Sequence, residues 1–166
     1  MIIPFHKPTL PDDFSSIFSN SVKDGWLTTG SVVKKFESDL KHYTNFDNIV
    51  AVNSCTAALH LALAAKGFSK GDKYIAPTYT FVATVEVGEY LSMHPLLVDS
   101  NKNNFNLDLN IVEDYLIKDP SIKAVIPVHF SGEPVNKSEL LYLSQKYNVF
   151  ILEDSAHALE SSALIN

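Results

Sequence analysis

Strand-length apolar runs separated by helix-length segments predict an α/β protein, a mainly parallel sheet with helices on both faces. Three observations carry this. From residue 49 onward, apolar runs at 49–52, 73–76, 95–98, 124–128 and 149–152 alternate with helical patterns. Most of the links are too long for hairpins. The runs are continuously apolar rather than alternating, as strands are when both faces of a sheet are covered.

The elements follow in order. The first thirty residues read as loop, except for a short helix around 12–20. The turn-rich stretch 25–30 (GWLTTG) leads into a helix on which Val33, Phe36, Leu40 and Tyr43 share one face. After the run at 49–52, a helix over 54–66 carries Leu59, Leu63 and several alanines, and Gly67 and Gly71 stop it. The strand over 73–76 ends at Pro77, and a helix over about 81–91 leads to the strand over 95–98. Asp108 caps a helix that runs to Lys118, with Val112, Tyr115 and Leu116 on one face. The strand over 124–128, a helix over 137–147 and the strand over 149–152 complete the series.

Composition narrows the function classes. The chain has 166 residues, 46% hydrophobic and 19% charged, with a net charge of −6. A disordered chain is excluded, and no apolar run is long enough to span a membrane. The N-terminus, MIIPFHKPTL, lacks the layout of a secretory signal. The single cysteine, Cys55, has no internal disulfide partner, so the cytoplasm is the expected compartment. All 13 basic residues are lysine, and an acidic chain without a basic block is not expected to bind nucleic acid. The six histidines form no metal-ligand spacing, and no dinucleotide, P-loop or nucleophile-elbow signature follows any strand.

In parallel sheets ligands bind beyond the carboxyl ends of the strands. There, Ser54, Cys55 and Thr56 open a helix whose free N–H groups and partial positive charge suit a phosphate; alternatively Ser54 simply caps the helix. Cys55 also fits the part of a small packing residue. An aromatic within 77–84 (PTYTFVAT), after the second run, suits stacking on a flat heterocycle, or the core. Asp99 follows the third run, His129 the fourth, and Glu153-Asp154-Ser155-Ala156-His157 the last. A carboxylate buried there needs a cationic partner. Asp154 can meet a protonated ring nitrogen or cap a helix; His157 can contact a ligand or sit half-buried. Together, a phosphate-suited helix start, a stacking aromatic and a strand-end carboxylate are what pyridoxal 5'-phosphate (PLP) requires.

The stretches 25–30, 51–63 (AVNSCTAALHLAL), 71–72, 76–84 (APTYTFVAT), 95–99 (PLLVD), 128–132 (VHFSG) and 153–158 (EDSAHA) occur in this order. With them the sequence resembles the DegT/DnrJ/StrS family of PLP-dependent sugar aminotransferases. The resemblance implies the type-I aminotransferase large-domain fold, with 1–30 as an N-terminal arm and 31–166 as part of the PLP-binding domain. It further implies that Ser54, Cys55 and Thr56 bind the phosphate, Phe81 stacks on the ring, Asp154 pairs with the pyridine nitrogen, and His157 lies near the phenolic oxygen. The implied reaction moves an amino group, commonly from glutamate, to a keto group of a nucleotide-linked sugar, for amino-sugar or surface-polysaccharide synthesis. The implied assembly is a homodimer.

The match departs at the end. In the family, the lysine that forms the Schiff base with PLP lies well downstream of the acidic motif, whereas here no lysine follows Lys146. The small C-terminal domain and a ring-edge serine are absent as well, and 163–166 leave the family pattern. A premature stop, a frameshift or a shortened chain would each leave this ending. No catalytic residue is therefore assigned, and the expectation is a chain that binds PLP weakly at best and does not turn over alone. Two other readings stay open: a non-catalytic remnant acting as a binding or interaction protein, and another type-I PLP enzyme.

Overall fold

The computed structural model describes residues 8–23 and 25–161. The segments 1–7 and 163–166, on which the reading of the two chain ends partly rests, lie outside the described residues. The chain divides into two units, Met1–Ala51 and Val52–Asn166.

The first unit contains helices α1 (Phe14–Lys23) and α2 (Ser31–Thr44). Between them, the Trp26 indole N–H donates to the Thr29 carbonyl at 3.0 Å, closing the turn-rich stretch. Asn45, in the left-handed region with φ 59°, ends α2. The helix forms as its periodicity predicts, but its apolar stripe is not fully buried, and Val33 and Leu40 are half-buried. Phe36 and Tyr43 are exposed, and α2 buries Thr44.

The predicted strand over 49–52 does not form. Val50 is exposed, and the Ala51 N–H donates to the Glu37 carboxylate at 2.8 Å rather than to a neighbouring strand. An apolar run becomes a strand only where an edge is available to pair with it.

The second unit begins with α3 (Cys55–Lys66). Ser54 is extended and its hydroxyl accepts the Ala57 N–H at 3.1 Å, while Gly67, at φ 88°, turns the chain off the other end. There follow β1 (Lys73–Pro77), α4 (Ala83–Glu89), β2 (His94–Val98), α5 (Leu109–Lys118), β3 (Ile122–Val125), α6 (Lys137–Tyr147) and β4 (Phe150–Ile151). Asp108 and Asn136 cap α5 and α6 by accepting N–H groups of their first turns.

The sheet is all parallel, in the order β2-β1-β3-β4. Side chains alternate across it and build two cores. On one face Tyr74, Ala76, Ala124 and Ile126 pack with Leu59 and Leu63 of α3 and Val87 of α4. On the other, Ile75, Val98 and Val125 pack with Leu109, Val112 and Leu116 of α5 and Leu140 and Leu143 of α6. Each fully buried Leu, Ile or Val contributes about 1.5–3 kcal/mol over exposure. The expected helices on both faces are thus present, over four strands instead of five.

The strand order places the site. From β1 the chain crosses to β2 on one side, then returns to put β3 on the other side of β1. The crevice beyond the carboxyl ends of β1 and β3 lies at this reversal, where parallel sheets take ligands.

Candidate functional site: a buried carboxylate at the strand ends

Asp154 continues the line of β4 past its last paired residue. Its backbone bridges Val128: the Asp154 N–H donates to the Pro127 carbonyl at 2.9 Å, and its carbonyl accepts the His129 N–H at 3.1 Å. The residue is only 6% exposed. Among the described residues no helix follows it, so the helix-cap reading is corrected. The backbone here prolongs the sheet instead of opening a helix, and the carboxylate accepts one nearby N–H, that of Ala156, at 3.2 Å through Oδ1.

The other partners come from distant sequence. Thr84, fully buried in the first turn of α4, donates its hydroxyl to Asp154 Oδ2 at 2.7 Å. Cys55 Sγ, at the start of α3, lies 3.6 Å from Oδ1. All of these donors are neutral. Among the described residues no lysine or histidine forms an ion pair with Asp154. A buried carboxylate surrounded only by neutral donors is suited to a cationic guest, which is the role the protonated ring nitrogen of PLP fills. The donor set fits that cofactor.

The remaining predicted residues border this carboxylate to different degrees. Ser54 spends its hydroxyl on capping α3, so its cap reading holds. Cys55 and Thr56 occupy the first turn, whose leading N–H groups have no partner within the helix. Partial burial, and then the Asp154 charge and hydrogen bond, push the Cys55 thiol up to about 11. It is a neutral donor at physiological pH and not a nucleophile. Phe81 is 76% exposed, and its carbonyl accepts the Thr84 N–H at 3.1 Å, so the turn that presents its ring also carries the partner of Asp154. His157 is exposed and meets the Phe130 ring edge-on at 6.0 Å.

Three features escaped the sequence. Thr84 is one; its spacing from Thr80 places both on one side of the helix start, which was the available signal. The second is the pair formed by Glu153 and the wholly buried His129, whose Nδ1 accepts the Val135 N–H at 3.0 Å. The third is a cluster in which the rings of Tyr79, Phe105 and Phe130 lie 4.8–5.3 Å apart. Phe105 arrives from a loop, and no local pattern announces it. Among the described residues no group of three His, Cys, Asp or Glu is arranged to hold a metal, and no helix is long and apolar enough to cross a membrane.

Comparison with known proteins bears on the family and the fold. Residues 9–164 match the model of the DegT/DnrJ/EryC1/StrS aminotransferase family. The spore coat polysaccharide biosynthesis protein SpsC of Bacillus subtilis is 35% identical over 157 residues, covering 95% of this chain and 40% of SpsC. Spr1654 of Streptococcus pneumoniae, solved in its PLP form, superposes with a TM-score of 0.88 at 29% identity, covering 95% of this chain and 44% of that one. A family aminotransferase from Brucella abortus gives 0.82 at 28% identity, over 87% and 40% of the two chains. The chain thus spans less than half the length of these relatives. With its motifs, its parallel sheet and its strand-end carboxylate in place, it belongs to the DegT/DnrJ/EryC1/StrS aminotransferase family.

Proposed function

We propose that these residues form the PLP-binding part of an enzyme that transfers an amino group from an amino acid, commonly glutamate, to a keto group of a nucleotide-linked sugar. The single observation that carries the reading is the buried Asp154 carboxylate, held by neutral donors beyond the carboxyl end of β4. Likeness to SpsC, a polysaccharide biosynthesis protein, and to Spr1654, solved with PLP, supports the choice of sugar and cofactor. Residues 1–30 serve as an arm and 31–166 as part of the large domain. The working form is a homodimer in the cytoplasm.

When bound, PLP supplies an electron sink that stabilises negative charge on the substrate carbon bearing nitrogen. This chain's residues hold and tune it. The N–H groups of Cys55 and Thr56 bind the phosphate, aided by the positive end of α3. Phe81 covers one face of the ring. Asp154 keeps the ring nitrogen protonated, and His157 borders the phenolic oxygen. The resemblance assigns the covalent role to none of the lysines among these 166 residues.

Titration with PLP, followed by absorbance, tests the reading. Saturable binding that weakens at least about tenfold in D154N is expected, as removal of a charge-paired carboxylate predicts. Absence of saturable binding overturns it. With PLP, glutamate and a nucleotide keto-sugar, these residues alone should give no multiple turnover.

A further inference from the structure

The Thr84 hydroxyl has a single proton, and an ionised carboxylate can only accept. Since Thr84 Oγ1 lies 2.7 Å from Asp154 Oδ2, that proton points to the carboxylate. Thr84 Oγ1 also lies 2.7 Å from Thr80 Oγ1, so it is Thr80 that donates to Thr84. The two hydroxyls form a directed chain, Thr80 to Thr84 to Asp154, ending on a residue 70 positions away. Thr84 is wholly buried, and Asp154 nearly so. In a site of low polarity each donor in such a chain strengthens the next. The Thr84 backbone N–H is bonded to the Phe81 carbonyl, so one turn fixes both the exposed ring and the carboxylate.

We propose that Thr84, oriented by Thr80, is a positioning residue that fixes the Asp154 carboxylate for the cationic nitrogen of the cofactor. The inference rests on the PLP-binding reading. Thr84 touches neither cofactor nor substrate in this assignment; it acts through Asp154.

Two measurements test it. In the absence of cofactor, urea midpoints of the parent, T84V, D154A and the double variant report coupling. The T84V shift should fall to less than about half in the D154A background, as for residues in one hydrogen-bonded network. Additive shifts overturn the proposal. In the presence of PLP, T84V should weaken the dissociation constant about tenfold, and T84S, which keeps the hydroxyl, should stay within about twofold of the parent. Equal affinity for parent and T84V also overturns the proposal. If the parent binds no PLP, the functional reading fails, and the coupling measurement alone decides whether Thr84 holds Asp154. Should T84V not fold, T80A, which removes the donor to Thr84, is put through both measurements. A T80A variant that is additive with D154A and binds PLP like the parent overturns the proposal.

Discussion

His129 Nε2 lies 2.9 Å from Glu153 Oε2, the imidazole wholly buried and the carboxylate at the surface. Because Nδ1 accepts the Val135 N–H, the ring proton is placed on Nε2 and donated to Glu153. This pair fastens the strand end immediately before Asp154.

The His129 hydrogen bond, opposed by partial burial, holds Glu153 below the ordinary glutamate value. A group lowered by folding stabilises the fold above its unfolded pKa and loses that contribution as pH falls through its folded one. The melting temperature of the parent should therefore exceed that of E153Q at neutral pH, by an amount worth about 1 kcal/mol or less for a half-exposed group. The difference should close as pH drops below the ordinary glutamate range. Circular dichroism melts between neutral and acidic pH provide the check.

The Cys55 thiol, pushed up from 9.0 to about 11, holds about 100-fold less thiolate at neutral pH than an unperturbed thiol. As the chain has one cysteine, iodoacetamide labelling read by mass spectrometry reports on it alone. Labelling should be slow at pH 8 and several-fold faster in D154N, which removes the neighbouring charge. Equal rates in the two proteins would show that Asp154 does not act on the thiol.

Gly88 lies on α4, where an added Cβ would overlap the Tyr74 ring, itself wholly buried and bonded through its hydroxyl to the Val85 carbonyl. Alanine favours a helix by up to about 1 kcal/mol over glycine, yet overpacking a core costs about 1–3 kcal/mol. The steric effect wins. G88A should lower the urea midpoint despite its better helix propensity.

Asn106 is buried and bonds in two directions, donating to the Glu133 carbonyl at 2.9 Å and accepting the Phe130 N–H at 3.1 Å. It clamps a turn in which Ser131 and Gly132 both have positive φ. N106A should cost about 1–2 kcal/mol, because it removes the partner of two part-buried backbone groups. Chemical denaturation measures the cost, and faster amide exchange at Phe130 locates it.

The readable parts of this protein were those set by local chemistry. Asp108 announced its helix as a cap, and Gly67 announced the end of α3, because a cap is satisfied by its immediate neighbours. The central strands were legible because a run buried on both faces leaves no polar alternation. The run at 49–52 had the same composition and failed, since pairing depends on a partner edge that no local window contains. At the site, the residue types at the strand ends pointed to the cofactor. The donors that hold Asp154 did not show themselves: Thr84 and Cys55 lie 70 and 99 positions from it.

Those separations bear on the order of folding. The Asp154 carboxylate is seated by β4, a two-residue strand paired only with β3, and by contacts that close most of the second unit into loops. Closing long loops costs entropy before any contact repays it, so these pairings come late. During synthesis, α3 and the turn before α4 are made long before Asp154 leaves the ribosome. Until then the fully buried Thr84 has a hydroxyl with no carboxylate to receive it. If Asp154 anchors the cofactor as proposed, ligand binding at these strand ends is a test of completed folding: a chain arrested one strand earlier would hold most of its core and none of that anchor.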